Sequence, residues 1–136
     1  LGSYISEADF WSTWSGTTGG GDDAHVTNVH NNTMGGSQSL EIVENNDIVG
    51  FFGDLTAGIY DVNFYLYVES GDGAYFNIEH AFGSEWAFSV NFDDGGTGTL
   101  NFMGGTAALT YPQDQWFPVE LHISINDDLV TLDIND

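Results

Sequence analysis

The chain of 136 residues contains no lysine and no arginine. At ordinary usage, about a quarter of residues are charged and half of those are basic, so about 17 would be present. Their absence excludes whole classes of chemistry. Phosphate backbones are bound mainly through Lys and Arg, so nucleic acid is not an expected partner. P-loop nucleotide binding, Schiff-base lysines and arginine clamps on anions go as well. Cysteine is also missing, which removes disulfide scaffolds, zinc–thiolate sites and cysteine nucleophiles. No apolar run reaches the roughly 18 residues of a spanning helix, so no membrane insertion is expected.

What the chain has is acid. Its 21 Asp+Glu give a formal net charge of −21 at pH 7, against a magnitude of about 2–8 for a typical small designed domain. Bound Ca²⁺, high external salt or both would neutralise such a charge. With 41% hydrophobic and 15% aromatic residues, the chain has enough apolar surface for a packed core, unlike disordered acidic tails. Leu1-Gly2-Ser3 reads as the start of a mature fragment. One module spanning 1–136, cut from a larger secreted or cell-surface protein, is therefore expected.

Apolar and polar residues alternate with period two. In 58–69 the apolar set is Tyr60, Val62, Phe64, Leu66 and Val68, between Asp61, Asn63, Tyr65, Tyr67 and Glu69. Trp86, Phe88, Val90 and Phe92 alternate with Ala87, Ser89 and Asn91, and Phe117, Val119, Leu121, Ile123 and Ile125 with Pro118, Glu120, His122 and Ser124. These are half-buried strands. Shorter strands are expected at 10–15, 24–30, 39–43, 48–52, 74–82, 99–103, 107–111 and 129–134. Clusters such as Gly71-Asp72-Gly73 and Asp93-Asp94-Gly95-Gly96 separate them. No segment of ten or more residues has a helical period. An all-β, two-sheet antiparallel sandwich follows, with a jelly roll as first choice.

On neighbouring strands the outward residues should pool into one surface: Asn63, Tyr65 and Tyr67; Tyr75, Asn77 and Glu79; Ser89 and Asn91; Glu120, His122 and Ser124. Amides, carboxylates and hydroxyls beside exposed rings suit a sugar, whose hydroxyls want polar partners while its C–H face packs on a ring. The same residues are also ordinary on a solvated sheet face. Trp116 is out of phase with its strand's core set and either caps the sandwich or stands as an indole at a rim. Either Trp11 or Trp14 should be partly exposed. Trp86 and His80 are in phase with core residues and are expected inside.

Hard-oxygen ligands for Ca²⁺ are sought among turn aspartates. Asp22 and Asp23 are preferred, with Asp133 and its neighbours Asp127, Asp128 and Asp136 as a second group, although Asp also favours turns on its own account. No EF-hand loop is present. Catalysis finds little support. No E-x-D-x-x-E run marks a glycosidase strand, no G-x-S-x-G occurs, and the histidines lack metal-ligand spacing. Only Glu79 and Glu120 are left as a conceivable acid pair, facing each other across strands.

The order of motifs has a counterpart. Asp22-Asp23-Ala24-His25-Val26-Thr27 leads to Gly36-Ser37-Gln38-Ser39-Leu40-Glu41-Ile42, then to Gly53-Asp54-Leu55-Thr56-Ala57-Gly58-Ile59-Tyr60 and Tyr67-Val68-Glu69-Ser70-Gly71. Gly73-Ala74-Tyr75-Phe76-Asn77-Ile78-Glu79-His80, Trp86-Ala87-Phe88 and Asp114-Gln115-Trp116-Phe117 complete it. This resembles the concanavalin-like (laminin-G-like) jelly-roll module of large secreted Bacteroidetes proteins. Through the G-x-x-S-L-x-I strand it is similar, more distantly, to non-catalytic carbohydrate-binding modules. The resemblance implies a curved sandwich, a structural Ca²⁺ near an edge, and a concave face that binds glycans in some members. Carried onto this chain, that face would hold Tyr65, Tyr67, Asn77, Glu79, Asn91, Glu120 and His122. The lack of any Lys or Arg departs from the pattern and points to neutral or calcium-bridged glycans. The expected function is polysaccharide binding beside other domains of the same polypeptide. The alternative is a calcium-stiffened structural or adhesive module.

Overall fold

The computed structural model describes residues 3–31 and 35–135. Among the described residues it is all-β, with eleven strands, several antiparallel sheets and one 3-10 turn at Ile5–Glu7. Two compact units divide the chain, Leu1–Ala57 and Gly58–Asp136. Each expected strand segment forms a strand, shifted or trimmed by a residue or more at most ends.

The first unit holds β1 (Trp11–Thr13), β2 (His25–Thr27), β3 (Ser39–Glu41) and β4 (Ile48–Gly50). β1 pairs with β4 and β2 with β3, both antiparallel. At three residues each, these strands supply few ladder bonds, so side-chain bonds to loop backbone carry much of the order. Asp23 is the centre of that network, 2% exposed. Its carboxylate accepts from Ser6 Oγ at 2.6 Å, Gly19 N at 2.9 Å and Ala24 N at 3.0 Å. A bond from the Ser6 N–H is longer, 3.4 Å.

The second unit contains β5 (Ile59–Tyr67), β6 (Ala74–Ala81), β7 (Glu85–Asp93), β8 (Thr97–Phe102), β9 (Gly105–Thr110), β10 (Trp116–Ser124) and β11 (Leu129–Ile134). β11-β10-β5 form one sheet, and β6-β7-β8-β9 form a meander as the other. Short Gly/Asp turns set the hairpins. Between β7 and β8 the chain reverses on Gly95 and Gly96, with φ of 92° and 76°, which a Cβ would strain.

The two sheets share one apolar core, a sandwich-like arrangement. Val90, Phe92 and Phe88 of β7 meet Phe117, Val119 and Leu121 of β10, with Val68 and Tyr111 beside them. Ring contacts join the layers: Phe64 to Phe76 at 5.4 Å between centroids, and Phe92 to Phe117 at 5.9 Å. Burying a side chain of this size contributes about 1.5–3 kcal/mol. Tyr111 brings one polar atom into the core, and its hydroxyl donates to Asp93 O at 2.6 Å. Burial, followed by the nearby Asp94 and Asp93 charges, pushes its pKa up.

Two residues expected in the core lie outside it. Trp86 is 54% exposed and the His80 side chain is also open to solvent, 3.6 Å from Glu85. Both sit where the β6–β7 register shifts, at Ile78/Glu79 and Glu79/Ala81. The slip breaks the alternation on which their inward assignment rests.

Candidate functional site

Because the sheets pack through their inner faces, the outward residues of the second unit divide into two surfaces rather than one. The three-stranded sheet carries Tyr67 beside Trp116, Tyr65 beside Pro118, Asn63 beside Glu120 beside Asp133, and Asp61 beside His122 beside Thr131. The four-stranded sheet carries Tyr75, Asn91, Thr99 and Ala108 in one row and Asn77, Ser89, Asn101 and Thr106 in the next. Of the eight expected ligand-binding residues, Tyr65, Tyr67, Trp116, Glu120 and His122 share the first face. Asn77, Glu79 and Asn91 share the second. Alternation assigns a residue to the inside or outside of its own sheet, but it does not say which sheet its strand joins.

The two faces differ in charge. On the three-stranded sheet, Glu120 stands directly opposite Asp133, a like-charge pair. His122 Nδ1 lies 2.7 Å from Asp61 Oδ1, with both side chains more than half exposed, a geometry worth little in water. Tyr67 and Trp116 meet edge-on at 5.5 Å, and Tyr65 is 45% exposed. Trp116, expected as a cap or a rim indole, is half-buried against Tyr67. Ser124, counted among the outward residues, is buried and donates to Asp127 Oδ2 at 2.6 Å.

On the four-stranded sheet, the two middle rows hold no carboxylate at all. Tyr75 is 56% exposed, and Asn77 Nδ2 donates to its hydroxyl at 3.2 Å. Ser89, Asn91, Thr99 and Asn101 are half-buried, so their polar groups form a shallow floor. Glu79 ends the face at the register slip, where it accepts from Gly83 N at 2.6 Å. Thr99, Asn101 and Thr106 were not among the expected residues. For Thr99 and Asn101 the signal is the alternation of Thr97, Thr99 and Asn101 with Gly98, Leu100 and Phe102.

The remaining expectations are placed as follows. Glu79 and Glu120 stand on different sheets, so the conceivable acid pair is not assembled. Asp22 accepts from Ser15 N at 2.8 Å and Ser15 Oγ at 3.0 Å, and the Ser15 N–H is the main cause of its lowered pKa. For Asp23 burial acts to raise the pKa, but the donors from Ser6, Gly19 and Ala24 outweigh it and the net shift is downward. Both carboxylates thus already serve as loop staples. Asp133 lies on β11 and Asp128 in the β10–β11 turn with φ of 52°. Asp136 lies outside the described residues. Among the described residues, no group of three or more His, Asp or Glu is arranged to hold a metal ion, and no helix is long and apolar enough to cross a membrane.

No family model, curated protein or solved structure matches the chain.

Proposed function

We propose that this chain is a non-catalytic carbohydrate-binding module of an exported protein, built as a concanavalin-like jelly roll. The ligand surface is the outer face of the four-stranded sheet. One observation carries the reading: in a chain with 21 acidic residues and no basic ones, the two middle rows of this face contain only Tyr75, Asn91, Thr99, Ala108, Asn77, Ser89, Asn101 and Thr106. Side-chain amides and hydroxyls both donate and accept, as sugar hydroxyls do. An exposed tyrosine ring offers the apolar platform that a pyranose C–H face packs on. The absence of carboxylates suits a neutral glycan. Calcium belongs to this reading as a counter-ion of the acidic surfaces, the pair of Asp133 and Glu120 among them.

Affinity electrophoresis through a panel of neutral polysaccharides, with calcium and with chelator, tests the proposal. Retardation is expected on at least one polymer. Tyr75→Ala, Asn77→Ala and Asn91→Ala should each weaken it by about tenfold, the equivalent of about 1.4 kcal/mol. Tyr65→Ala and His122→Ala, on the other sheet, should leave it unchanged. Free migration on every polymer in both conditions would sink the proposal.

The second reading, a structural or adhesive module, is favoured by the exposure of β9, an uncharged edge strand.

A further inference from the structure

The second unit has four sheet edges, and three of them carry features that discourage pairing with another chain. β5 presents Asp61, β11 presents Asp133, and β6 combines Glu79 with two register shifts. β9 has none of these. Its sequence Gly-Thr-Ala-Ala-Leu-Thr is uncharged, its register with β8 is regular throughout, and five of its six residues are exposed. In a chain of net charge −21, such an edge is the place where two copies can approach with least repulsion.

The surroundings of β9 point the same way. A shallow cleft of about 320 Å³ opens between β9 and β11, lined by Leu100, Ala107, Leu109, Leu132 and Ile134 among others. Inward-facing apolar residues thus reach solvent along this side, and a further strand on β9 would cover them. The outward residues next to the edge, Thr106, Ala108, Thr99 and Asn101, are neutral as well.

From this we infer that β9 pairs antiparallel with β9 of a second copy, extending the four-stranded sheet across a two-fold axis. Directly opposed residues must lie on the same face of a sheet. The axis therefore passes midway between a residue and its own counterpart, and Ala108 is the choice that uses the strand best. Ala108 then faces its counterpart, Thr106 faces Thr110 on the outer side, and Ala107 faces Leu109 on the inner side. The small–large inner pairs lay two leucines over the two clefts, and threonine pairs are favourable cross-strand neighbours. Such an interface is isologous and closes at two copies. Among the described residues, Asp133 is the one carboxylate lining the cleft, so association strengthens as salt screens it. This inference does not rest on the glycan reading: Ala108 and Thr106 also stand in the rows of that face, but the pairing is argued from the backbone edge of β9.

Sedimentation velocity across a concentration series, at low salt and at about 1 M NaCl, where the Debye length is about 3 Å, tests the pairing. A monomer–dimer equilibrium is expected, tighter at high salt. Ala108→Glu and Thr106→Glu, both exposed outward positions, should each weaken the dimer by about tenfold or more. Because the chain has no cysteine, Ala108→Cys gives a unique thiol. It should cross-link to its counterpart with a short bismaleimide, whereas Thr131→Cys on β11 should not. A monomer at every concentration and salt, a dimer indifferent to both glutamates, or cross-linking through position 131 instead of 108 would each overturn the proposal.

Discussion

Asp23 shows how an acidic chain uses an acid for order rather than for ligand binding. Without lysine or arginine, a buried carboxylate has only N–H and O–H donors to satisfy it, and Asp23 gathers them from Ser6, Gly19 and Ala24. Asp23→Ala leaves those donors in a buried site, a loss of about 2 kcal/mol or more. Amide exchange should register it as protection at Gly19 and Ala24 lowered by about 30-fold. The pH dependence has a definite sign. The folded-state pKa lies below the ordinary 3.8, so the contribution is complete above that value and is lost as pH falls through the lower one. Acid titration of the first unit's stability should show this step in the wild type and lack it in Asp23→Ala. The sequence marks Asp23 as a notable aspartate after a glycine run. Staple and metal ligand separate only when its partners, distant in the chain, are in view.

Strands were the most legible feature, because alternation reports burial on one face directly. Pairing was not, since β5 and β7 have similar patterns yet lie in different sheets. That is why one expected ligand surface became two. Local slips explain the other departures: at Trp86 and His80 the register shift ends the alternation that placed them inside. Pro118 shows the opposite case, an apparent strand breaker that fits. Its carbonyl accepts from Asn135 N at 3.0 Å, so its missing N–H also points to that side, just past the end of the β11 ladder at Val119↔Ile134.

Two substitutions probe this level. A Cβ on Gly98 would run into Asn91 O and lie 2.9 Å from Leu109 Cδ1. Gly98→Ala should therefore cost about 1–3 kcal/mol by overpacking between β7 and β9, read as a lower denaturant midpoint. Glu120→Gln relieves the like-charge pair with Asp133 and should raise stability by about 0.5 kcal/mol at low salt. The gain should shrink as salt is added.

Charge governs the behaviour of the whole chain. A net charge of −21 opposes compaction through self-repulsion, and screening lessens that opposition. The thermal midpoint should therefore rise by several degrees between about 0.01 and 1 M NaCl, as the Debye length falls from about 30 to 3 Å. Calcium binding at a defined site would add a rise beyond the sodium control at equal ionic strength, reversed by chelator, because it favours the folded state by mass action. The same charge census gives the account its centre. Carboxylates crowd the outer face of the three-stranded sheet and are missing from the middle of the four-stranded one.

Amide chemical-shift mapping with neutral oligosaccharides, recorded in chelator, tests that asymmetry most directly. The account predicts saturable shifts at Tyr75, Asn77, Ser89, Asn91 and Asn101, with Tyr65, Glu120 and His122 unmoved. Shifts confined to the three-stranded sheet, or none with any neutral sugar, would contradict it.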